Sequence, residues 1–311
     1  MKEADLVIIG AGVAGLTAAM LAGRHGRKVV ALDQMGAGGQ IINVERILNW
    51  PGFPQGIDGH ELGPLLHQQA EAAGAEIMLE TVEAIEQAGG HFIVRGAAET
   101  WRARAVIIAA GSTLRQLGIP GEEEFRGRGV SHCASCDGAL FAGREVCVIG
   151  GGDSALDEAL VLAEHAARIT LLHRGPRLDA QPALRPRIAA CGKIEVVLDT
   201  VVEEILGDDK VTGVRLRAAG TSRVHKTAGV FIYVGLEPNT AFLRGLLALD
   251  PSGHIETDAN MRTSVKGIFA AGDIRKSSVA LLAAVAGDGA TAAIAAARYL
   301  DETDGGSGSD L

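Results

Sequence analysis

The chain has 311 residues, enough for two domains of ordinary size, and a formal net charge of −9 at pH 7. This charge and the lack of a long basic run argue against a nucleic-acid partner, since phosphate binding needs clustered Lys and Arg. Residues 1–5 contain two acids and lead directly into a strand, and the apolar stretches are broken well short of a membrane span. We therefore expect a cytoplasmic protein with no membrane partner.

The first elements follow the pattern of a dinucleotide-binding fold. In chain order they are a buried strand over Asp5–Ile9, a Gly-x-Gly-x-x-Gly turn, a helix through about His25 and a strand from Lys28 that ends at Asp33. In the turn, Gly10 makes the bend, Gly12 lets the backbone approach a pyrophosphate and Gly15 keeps helix and strand close. An antiparallel segment over Thr81–Trp101 and an apolar strand over Ala105–Gly111 complete this part.

A two-cysteine motif lies beyond the Gly- and Pro-marked connection at 118–124. Cys133 and Cys136 are separated by two residues, so they can close a small ring, and a helix start just after them would favour thiolate. A zinc site would need a second ligand pair, which Cys147 and Cys191 do not supply, and a static disulfide across two residues would stabilise little. His132 is open to three interpretations: an extra base, a group that lowers the thiol pKa, or an ordinary loop residue.

The dinucleotide pattern then returns. In chain order the second copy has a strand over Glu145–Ile149, a turn with Gly150, Gly152 and Ala155, a helix to about Ala166 and a strand that ends at His173. Matched positions are offset by 140 residues, from 10 to 150 and from 33 to 173. Two copies in register are far more specific than one glycine motif, so we interpret the chain as two dinucleotide-binding folds.

The residue at the end of each second strand predicts the nucleotide. Asp33 can accept hydrogen bonds from two free ribose hydroxyls, which favours FAD in the first copy. His173 is followed by Arg174, with Arg177 nearby, and arginine can pair with a 2′-phosphate, which favours NADP(H) in the second copy. A solvated basic loop is the alternative interpretation of Arg174 and Arg177.

The remaining elements set the domain limits. They are an antiparallel segment over Val201–Lys226, a strand over Gly229–Gly235, a return connection at Gly235–Asn239, a short strand over Gly267–Asp273 and a helix from about Val279 to Leu300. From these elements we predict an α/β protein with two Rossmann-like, three-layer domains, each with an inserted antiparallel β segment. The short strand can complete the first sheet, which joins the end of the chain to the first domain. The predicted FAD domain is discontinuous, at 1–117 and 241–311, the NADP(H) domain spans 118–240, and a Gly/Ser/Asp-rich tail at 302–311 is predicted to be disordered.

Further short motifs accompany the two folds and the cysteine pair. They are Gly38-Gly39-Gln40, Asn49-Trp50-Pro51-Gly52, Cys133 to Gly138, Ala271-Gly272-Asp273 and Gly287-Asp288-Gly289-Ala290. In this order the motifs resemble the low-molecular-weight thioredoxin reductases of bacteria over nearly the whole chain. The resemblance implies an FAD-dependent dithiol-disulfide oxidoreductase that exchanges electrons with NADP(H), works as a homodimer and rotates its domains so that cysteines and nicotinamide alternate at the flavin.

The resemblance also implies the site residues. For FAD we expect Gly10, Gly12, Ala14, Gly15, Asp33, Gly39, Gln40, Asn49, Gly111, Asp273, Ala280 and Leu281. For NADP(H) we expect Gly150, Gly152, Asp153, Ser154, Ala155, His173, Arg174 and Arg177. By the same resemblance, Cys136 faces the flavin, Cys133 exchanges with the substrate disulfide, and Asp137 protonates the leaving thiolate.

Two regions depart from the family pattern. The family has His-Arg-Arg and a further Arg where this chain has Gly175 and Asp179, so we expect weaker NADPH binding unless Arg177, Arg185 or Arg187 compensates. Most relatives also carry Arg-Gln where this chain has Ala280-Leu281.

The departures leave several functions open. The leading hypothesis is reduction of thioredoxin or a similar disulfide, which the retained Asp137-Gly138 favours. The alternatives are a dithiol oxidase that closes a disulfide in a small molecule or peptide with electrons passing to O2 or NADP+, a ferredoxin-linked reductase, and a flavin redox sensor without turnover.

Overall fold

We describe the fold from a computed structural model, which covers residues 1–243 and 245–304. The strands are β1 (Lys2–Ile9), β2 (Val29–Asp33), β3 (Glu76–Leu79), β4 (Val82–Ala88), β5 (His91–Gly96), β6 (Thr100–Ile108), β7 (Ser112–Leu114), β8 (Val130–Ser131), β9 (Glu145–Ile149), β10 (Arg168–Leu172), β11 (Ile194–Val197), β12 (Thr200–Gly207), β13 (Val211–Ala218), β14 (Thr221–Lys226), β15 (Gly229–Ile232), β16 (Leu236–Pro238) and β17 (Ile268–Ala270). The α-helices are α1 (Val13–Arg24), α2 (Gly59–Ala72), α3 (Ala134–Asp137), α4 (Asp153–His165), α5 (Arg185–Ala190) and α6 (Leu282–Thr303). Within the described residues, no helix is both long enough and apolar enough to cross a membrane.

The chain forms two compact units. One contains Met1–Thr113 and the segment that begins at Glu237, and the other contains Leu114–Leu236. The first unit has a sheet in the order β3-β2-β1-β6-β5-β4, and β17 also pairs with β6. Strands β3, β2, β1, β6 and β17 are parallel, whereas β4 and β5 add an antiparallel hairpin to the edge of β6.

The first sheet is buried on both faces. Leu6 and Ile8 of β1 pack in the cluster that contains α1 and α6, whereas Val7 and Ile9 pack in the cluster on the other face. Successive strand residues point to opposite faces, so a continuous apolar run is what a sheet covered on both sides requires.

The second unit repeats this arrangement. Its parallel sheet has the order β11-β10-β9-β15-β8, and β12-β13-β14 form a separate antiparallel sheet. Val146 and Val148 pack with α4, whereas Cys147 and Ile149 pack with β12 and β13. The predicted α/β class with inserted antiparallel segments is therefore confirmed.

The element bounds correct the sequence prediction in several places. The sequence predicted one strand at the end of the first antiparallel segment and a separate strand over 105–111. The structure has a single strand, β6, which pairs antiparallel with β5 and parallel with β1. Helix α6 begins at Leu282 rather than near Val279, because Ala280 has a left-handed backbone with φ of 50°.

The carboxyl end of the chain and one helix also differ from expectation. Helix α6 continues to Thr303, so residues 302 and 303 of the predicted disordered tail are helical, and residues 305–311 lie outside the described part. The sequence analysis did not foresee α2, in which Pro64 lies inside the helix. Proline usually interrupts a helix, and here Gly59, Gly63 and Pro64 weaken the local helical signal.

Candidate functional site

The predicted FAD residues gather at one edge of the first sheet. Gly10 follows β1, Asp33 ends β2, Gly111 follows β6, and Asp273 follows β17. These four strands are parallel, so their carboxyl ends meet at the same edge. That edge is where open α/β sheets bind nucleotides.

The backbone at Gly10 can only be formed by glycine. Its φ is 101°, and a Cβ there would lie 2.3 Å from the carbonyl oxygen of Ala109. Helix α1 then begins at the N-cap Gly12 without a side-chain cap, and its first turn contains no acidic residue. The amide groups of that turn are thus open to an anion, which suits the pyrophosphate of FAD.

Asp33 organises the turn around this site. One carboxylate oxygen accepts the backbone N–H of Ala11 at 2.8 Å, and the other accepts the N–H groups of Met35 at 2.8 Å and Gly36 at 3.1 Å. Each carboxylate oxygen has two lone pairs, so acceptor capacity is left for a ribose hydroxyl. The same side chain can therefore hold the loop and contact the nucleotide.

A charged pair that the sequence analysis missed supports the Asp273 loop. The carboxylate of Asp288 accepts the N–H of Gly272 at 3.2 Å and two guanidinium N–H groups of Arg275 at 3.0 and 2.8 Å. Burial raises the pKa of Asp273, and the charge of Asp288 acts in the same direction, whereas a hydrogen bond from Ser278 at 3.0 Å opposes it. The Gly287 to Ala290 motif was the only sequence signal for this pair.

The other predicted FAD residues divide into two groups. Gly39 lies against Gly12, with a Cβ on Gly12 lying 4.0 Å from the Gly39 Cα, and the Gln40 amide donates to the carbonyl oxygen of Ser112. Asn49, Ala280 and Leu281 have exposed side chains. The glycine turn, the open helix start and the carboxylate at Asp33 together fit FAD.

The second glycine turn is similar to the first. Gly150 has a φ of 151°, and a Cβ there would lie 2.3 Å from the carbonyl oxygen of Tyr233. Helix α4 begins at the N-cap Gly152 without a side-chain cap, but its first turn contains Asp153. Both oxygens of Asp153 accept hydrogen bonds from Gln181, at its backbone N–H and its side-chain amide.

The loop after β10 carries mixed charge. Arg174 and Arg177 are exposed and line an open pocket of about 550 Å³ with His173 and Asp179. The Asp179 carboxylate lies 3.7 Å from Nε2 of His173. This loop offers two guanidinium groups to a 2′-phosphate and also one repelling carboxylate.

The two other arginines that could compensate each have a partner within the second unit. Nε of Arg185 donates to the carbonyl oxygen of Ala180 at 2.9 Å, and Arg187 lies 3.8 Å from Asp157. The residues fit NADP(H), with Arg174 and Arg177 as the free cations in the loop after β10.

The cysteine pair is a disulfide at the start of α3. The S–S distance is 2.04 Å, and the Cys136 side chain is exposed. The sequence predicted a helix start just after the cysteines. The helix instead begins between them, with Cys133 as its N-cap. Sγ of Cys133 accepts the backbone N–H of Cys136 at 3.2 Å. After reduction, the same contact would stabilise a thiolate at Cys133.

Asp137 is held beside the disulfide by a residue that the sequence analysis did not select. Ser131, at the end of β8, donates its hydroxyl to Oδ2 of Asp137 at 2.6 Å and accepts the N–H of Cys133 at 3.1 Å. No motif spacing indicated this contact, because it depends on the turn between β8 and α3.

A partly buried contact joins α3 to the rest of the second unit. The carboxylate of Glu158 on α4 accepts the N–H of Ala134 at 2.8 Å and the hydroxyl of Tyr233 at 3.0 Å. Burial raises the pKa of Tyr233, and the charge of Glu158 adds to this, so the phenol stays protonated and donates. The redox turn is thus fixed to the helix that begins at the second glycine motif.

His132 and Cys147 are two further titratable residues that the sequence drew attention to, and neither supports the redox chemistry. Burial lowers the pKa of His132, and the positive charge of Arg126 acts in the same direction, so its imidazole is neutral at pH 7. A neutral ring does not lower the pKa of a neighbouring thiol through charge. Burial raises the pKa of Cys147 to about 12, so this core cysteine is an unreactive thiol at neutral pH.

Comparisons with known proteins agree with this geometry. Residues 4–297 match the family model of pyridine nucleotide-disulphide oxidoreductases. A thioredoxin reductase of Listeria monocytogenes is 41% identical over 304 residues, which cover 97% of this chain and 95% of the relative.

Solved structures give the same result. The thioredoxin reductase of Lactococcus lactis has a TM-score of 0.93 and 40% identity, covering 96% of this chain and 99% of that one. The thioredoxin reductase of T. acidophilum has a TM-score of 0.90 and 37% identity, covering 97% of this chain and 100% of that one. None of these names favours the oxidase, ferredoxin-linked or sensor alternatives. The chain therefore belongs to the pyridine nucleotide-disulphide oxidoreductase family, among the low-molecular-weight thioredoxin reductases, and is an FAD- and NADP(H)-dependent disulfide oxidoreductase.

Proposed function

We propose that this enzyme uses electrons from NADPH to reduce a protein disulfide of the thioredoxin type. The observation that carries the proposal is the Cys133–Cys136 disulfide, with Asp137 hydrogen-bonded beside it. The names of the similar proteins supply the substrate class.

The proposed exchange needs two thiols and one acid. After the enzyme disulfide is reduced, the Cys133 thiolate attacks the substrate disulfide, which forms a mixed disulfide and releases one substrate thiolate. Asp137 gives that thiolate a proton. The Asp137 carboxylate then takes the proton of the Cys136 thiol, and the resulting thiolate attacks the sulfur of Cys133. This restores the enzyme disulfide and releases the second substrate thiolate, to which Asp137 passes that proton.

The contact between Cys133 Sγ and the Cys136 N–H supports Cys133 as the attacking thiolate, because this N–H stabilises negative charge on that sulfur. FAD bound here would supply the two electrons that reduce the disulfide, and NADPH would be their source. Gly10, Gly12 and Asp33 would hold FAD, and Gly150, Gly152, Arg174 and Arg177 would hold NADPH.

The domain assignment is part of this proposal. We infer that the unit with Met1–Thr113 is the FAD domain and that Leu114–Leu236 is the NADP(H) domain, since each has its own glycine turn. A homodimer, which the family resemblance implies, and a cytoplasmic location, which the amino-terminal residues and the short apolar stretches suggest, stay predictions.

The test is NADPH oxidation coupled to thioredoxin. The wild-type enzyme should turn over, whereas Cys133→Ser and Cys136→Ser should keep their flavin and lose disulfide reduction. Cys191→Ser, outside the redox pair, is the matched control and should keep full activity. Absence of NADPH turnover in flavin-loaded wild-type enzyme, with rapid flavin reduction by small dithiols, would contradict the proposal and support the oxidase direction.

A further inference from the structure

Ser131 lies at a buried position next to the redox turn. It is the last residue of β8, which pairs in parallel with β15, and only 6% of its surface is exposed. A buried hydroxyl needs hydrogen-bond partners, and here all of them belong to the redox turn.

Three groups surround the Ser131 hydroxyl oxygen. Oδ2 of Asp137 lies at 2.6 Å, the backbone N–H of Cys133 at 3.1 Å, and the carbonyl oxygen of Cys133 at 3.3 Å. The N–H can only donate, so it fixes the position of the oxygen. The hydroxyl proton then has two acceptors, the Asp137 carboxylate and the Cys133 carbonyl.

This arrangement suits both protonation states of Asp137. When Asp137 is ionised, Ser131 donates to its carboxylate at a distance typical of a charge-assisted hydrogen bond. When Asp137 is protonated, its O–H can donate to the serine oxygen, and the serine proton can rotate to the Cys133 carbonyl. The carboxyl group is therefore held in one place through a complete proton-transfer cycle.

We propose that Ser131 is a positioning residue for disulfide exchange: it orients the Asp137 carboxyl toward the leaving thiolate in both protonation states and ties it to the backbone of Cys133. This proposal rests on the proposed role of Asp137 as the acid. Ser131 does not touch the substrate, so its effect should pass through Asp137.

The first experiment compares two disulfides that differ in their need for an acid. An alkyl thiolate is a poor leaving group and gains from protonation, whereas a nitrobenzoate thiolate leaves readily as the anion. We would measure kcat/KM for bis(hydroxyethyl) disulfide and for a nitrobenzoate disulfide at saturating NADPH. Ser131→Ala should slow the alkyl reaction about tenfold and the aryl reaction little, as expected for weakened general-acid catalysis.

Three variants make the test specific. Ser131→Thr keeps the hydroxyl and should restore most of the alkyl rate. Asp137→Asn should slow the alkyl reaction about 100-fold, within the usual range for a lost general acid. The Asp137→Asn, Ser131→Ala double variant should be no slower than Asp137→Asn alone, because Ser131 acts through that carboxyl.

Thr170→Ala is the matched control. Thr170 is also a buried hydroxyl residue on the parallel sheet of the second unit, and its hydroxyl pairs with His225 at 3.3 Å. It should leave the ratio of alkyl to aryl rates unchanged. If Ser131→Ala does not fold, Ser131→Val, which has the shape of the threonine variant without its hydroxyl, gives the same comparison, with flavin content and thermal unfolding as folding checks.

The outcomes distinguish a failure of the Ser131 proposal from a failure of the proposed function. Equal slowing of both disulfides by Ser131→Ala, or a double variant slower than Asp137→Asn by a further tenfold, would overturn the role of Ser131 alone. An unchanged alkyl rate in Asp137→Asn would overturn Asp137 as the acid and the inference with it. Failure of every variant and of the wild type with NADPH would instead contradict the proposed electron source.

Discussion

The two glycine turns of this enzyme have similar backbones and differ in charge. Gly10 and Gly150 both have positive φ and both approach a carbonyl oxygen so closely that a Cβ would lie 2.3 Å from it. In the first unit, strand β2 ends at Asp33. In the second unit, the corresponding strand β10 is followed directly by His173. The similar backbones serve the pyrophosphate, so the side chains at the strand end are left to choose the nucleotide.

The charges near the phosphates differ as well. The first turn of α1 contains no acid, whereas α4 begins with Asp153, and Asp179 lines the pocket after β10 together with Arg174 and Arg177. In the first site, the one carboxylate at the strand end, Asp33, holds its own loop in place and can contact the ribose. The second site combines attraction and repulsion, which predicts modest affinity for NADPH.

The largest effect is expected for glycine-to-alanine variants of the two turns. Gly10→Ala combines a left-handed backbone with a clash against Ala109, and we expect loss of flavin and destabilisation by about 2 to 4 kcal/mol. Gly150→Ala should destabilise its own unit similarly but retain flavin and lose reduction by NADPH. Visible absorbance of purified protein and stopped-flow reduction would measure both.

The matched control for this pair is Gly192→Ala. A Cβ at Gly192 meets no atom within 4 Å, so this variant should keep flavin, stability and turnover. Flavin retention in Gly10→Ala, or flavin loss in Gly150→Ala, would contradict the assignment of the two nucleotides.

The second prediction concerns the carboxylate of the first site. Asp33→Ala removes the acceptor of the Ala11, Met35 and Gly36 N–H groups, and FAD affinity should fall about 10- to 100-fold, since bonds to a charged group contribute about 1.5 to 3 kcal/mol. Titration of flavin-free protein with FAD would measure the change. Asp209→Ala, at an exposed carboxyl in the other unit, should bind FAD like the wild type.

The third prediction strengthens the second site. Asp179→Arg replaces a repelling carboxylate by a guanidinium beside Arg174 and Arg177, and KM for NADPH should fall about tenfold, with a much smaller change for NADH. Asp179→Asn removes the charge without adding a donor and should give a smaller gain. Equal changes for NADPH and NADH would show that this loop does not contact the 2′-phosphate.

The smallest expected effect concerns Asp273. Burial holds the pKa of its folded form above the unfolded value, so its contribution to stability is fully present below about pH 4 and is lost as the pH rises through the folded pKa. Asp273→Asn should therefore raise the Tm of flavin-free protein at pH 7 by about 2 to 4 °C, and the gain should shrink toward pH 4. Thermal unfolding across this pH range would measure it.

Flavin binding supplies the contrast for this variant. Asp273→Asn should also weaken FAD binding, because a residue placed for a ligand is not optimal for the empty fold. A lower Tm at pH 7 in the flavin-free variant would contradict a destabilising role for the ionised carboxyl.

Local patterns in the sequence determined the repeated fold and the redox pair. Continuous apolar strands, the glycine turns at 10 and 150 and the spacing of Cys133 and Cys136 act within a few residues, so they can be recognised without knowing the tertiary structure. The same local signals were weaker for α2, where Pro64 and glycines oppose a helix that packing stabilises.

Tertiary structure alone decided how the sites are held. Ser131 reaches Asp137 through the turn after β8, Glu158 reaches Ala134 from α4, and Asp288 reaches Gly272 from α6. These contacts join residues whose separation along the chain follows no period, since they depend on where whole elements pack. The sequence by itself determined the cofactors' turns and the cysteine chemistry, and the packed fold decided which polar side chains hold them in place.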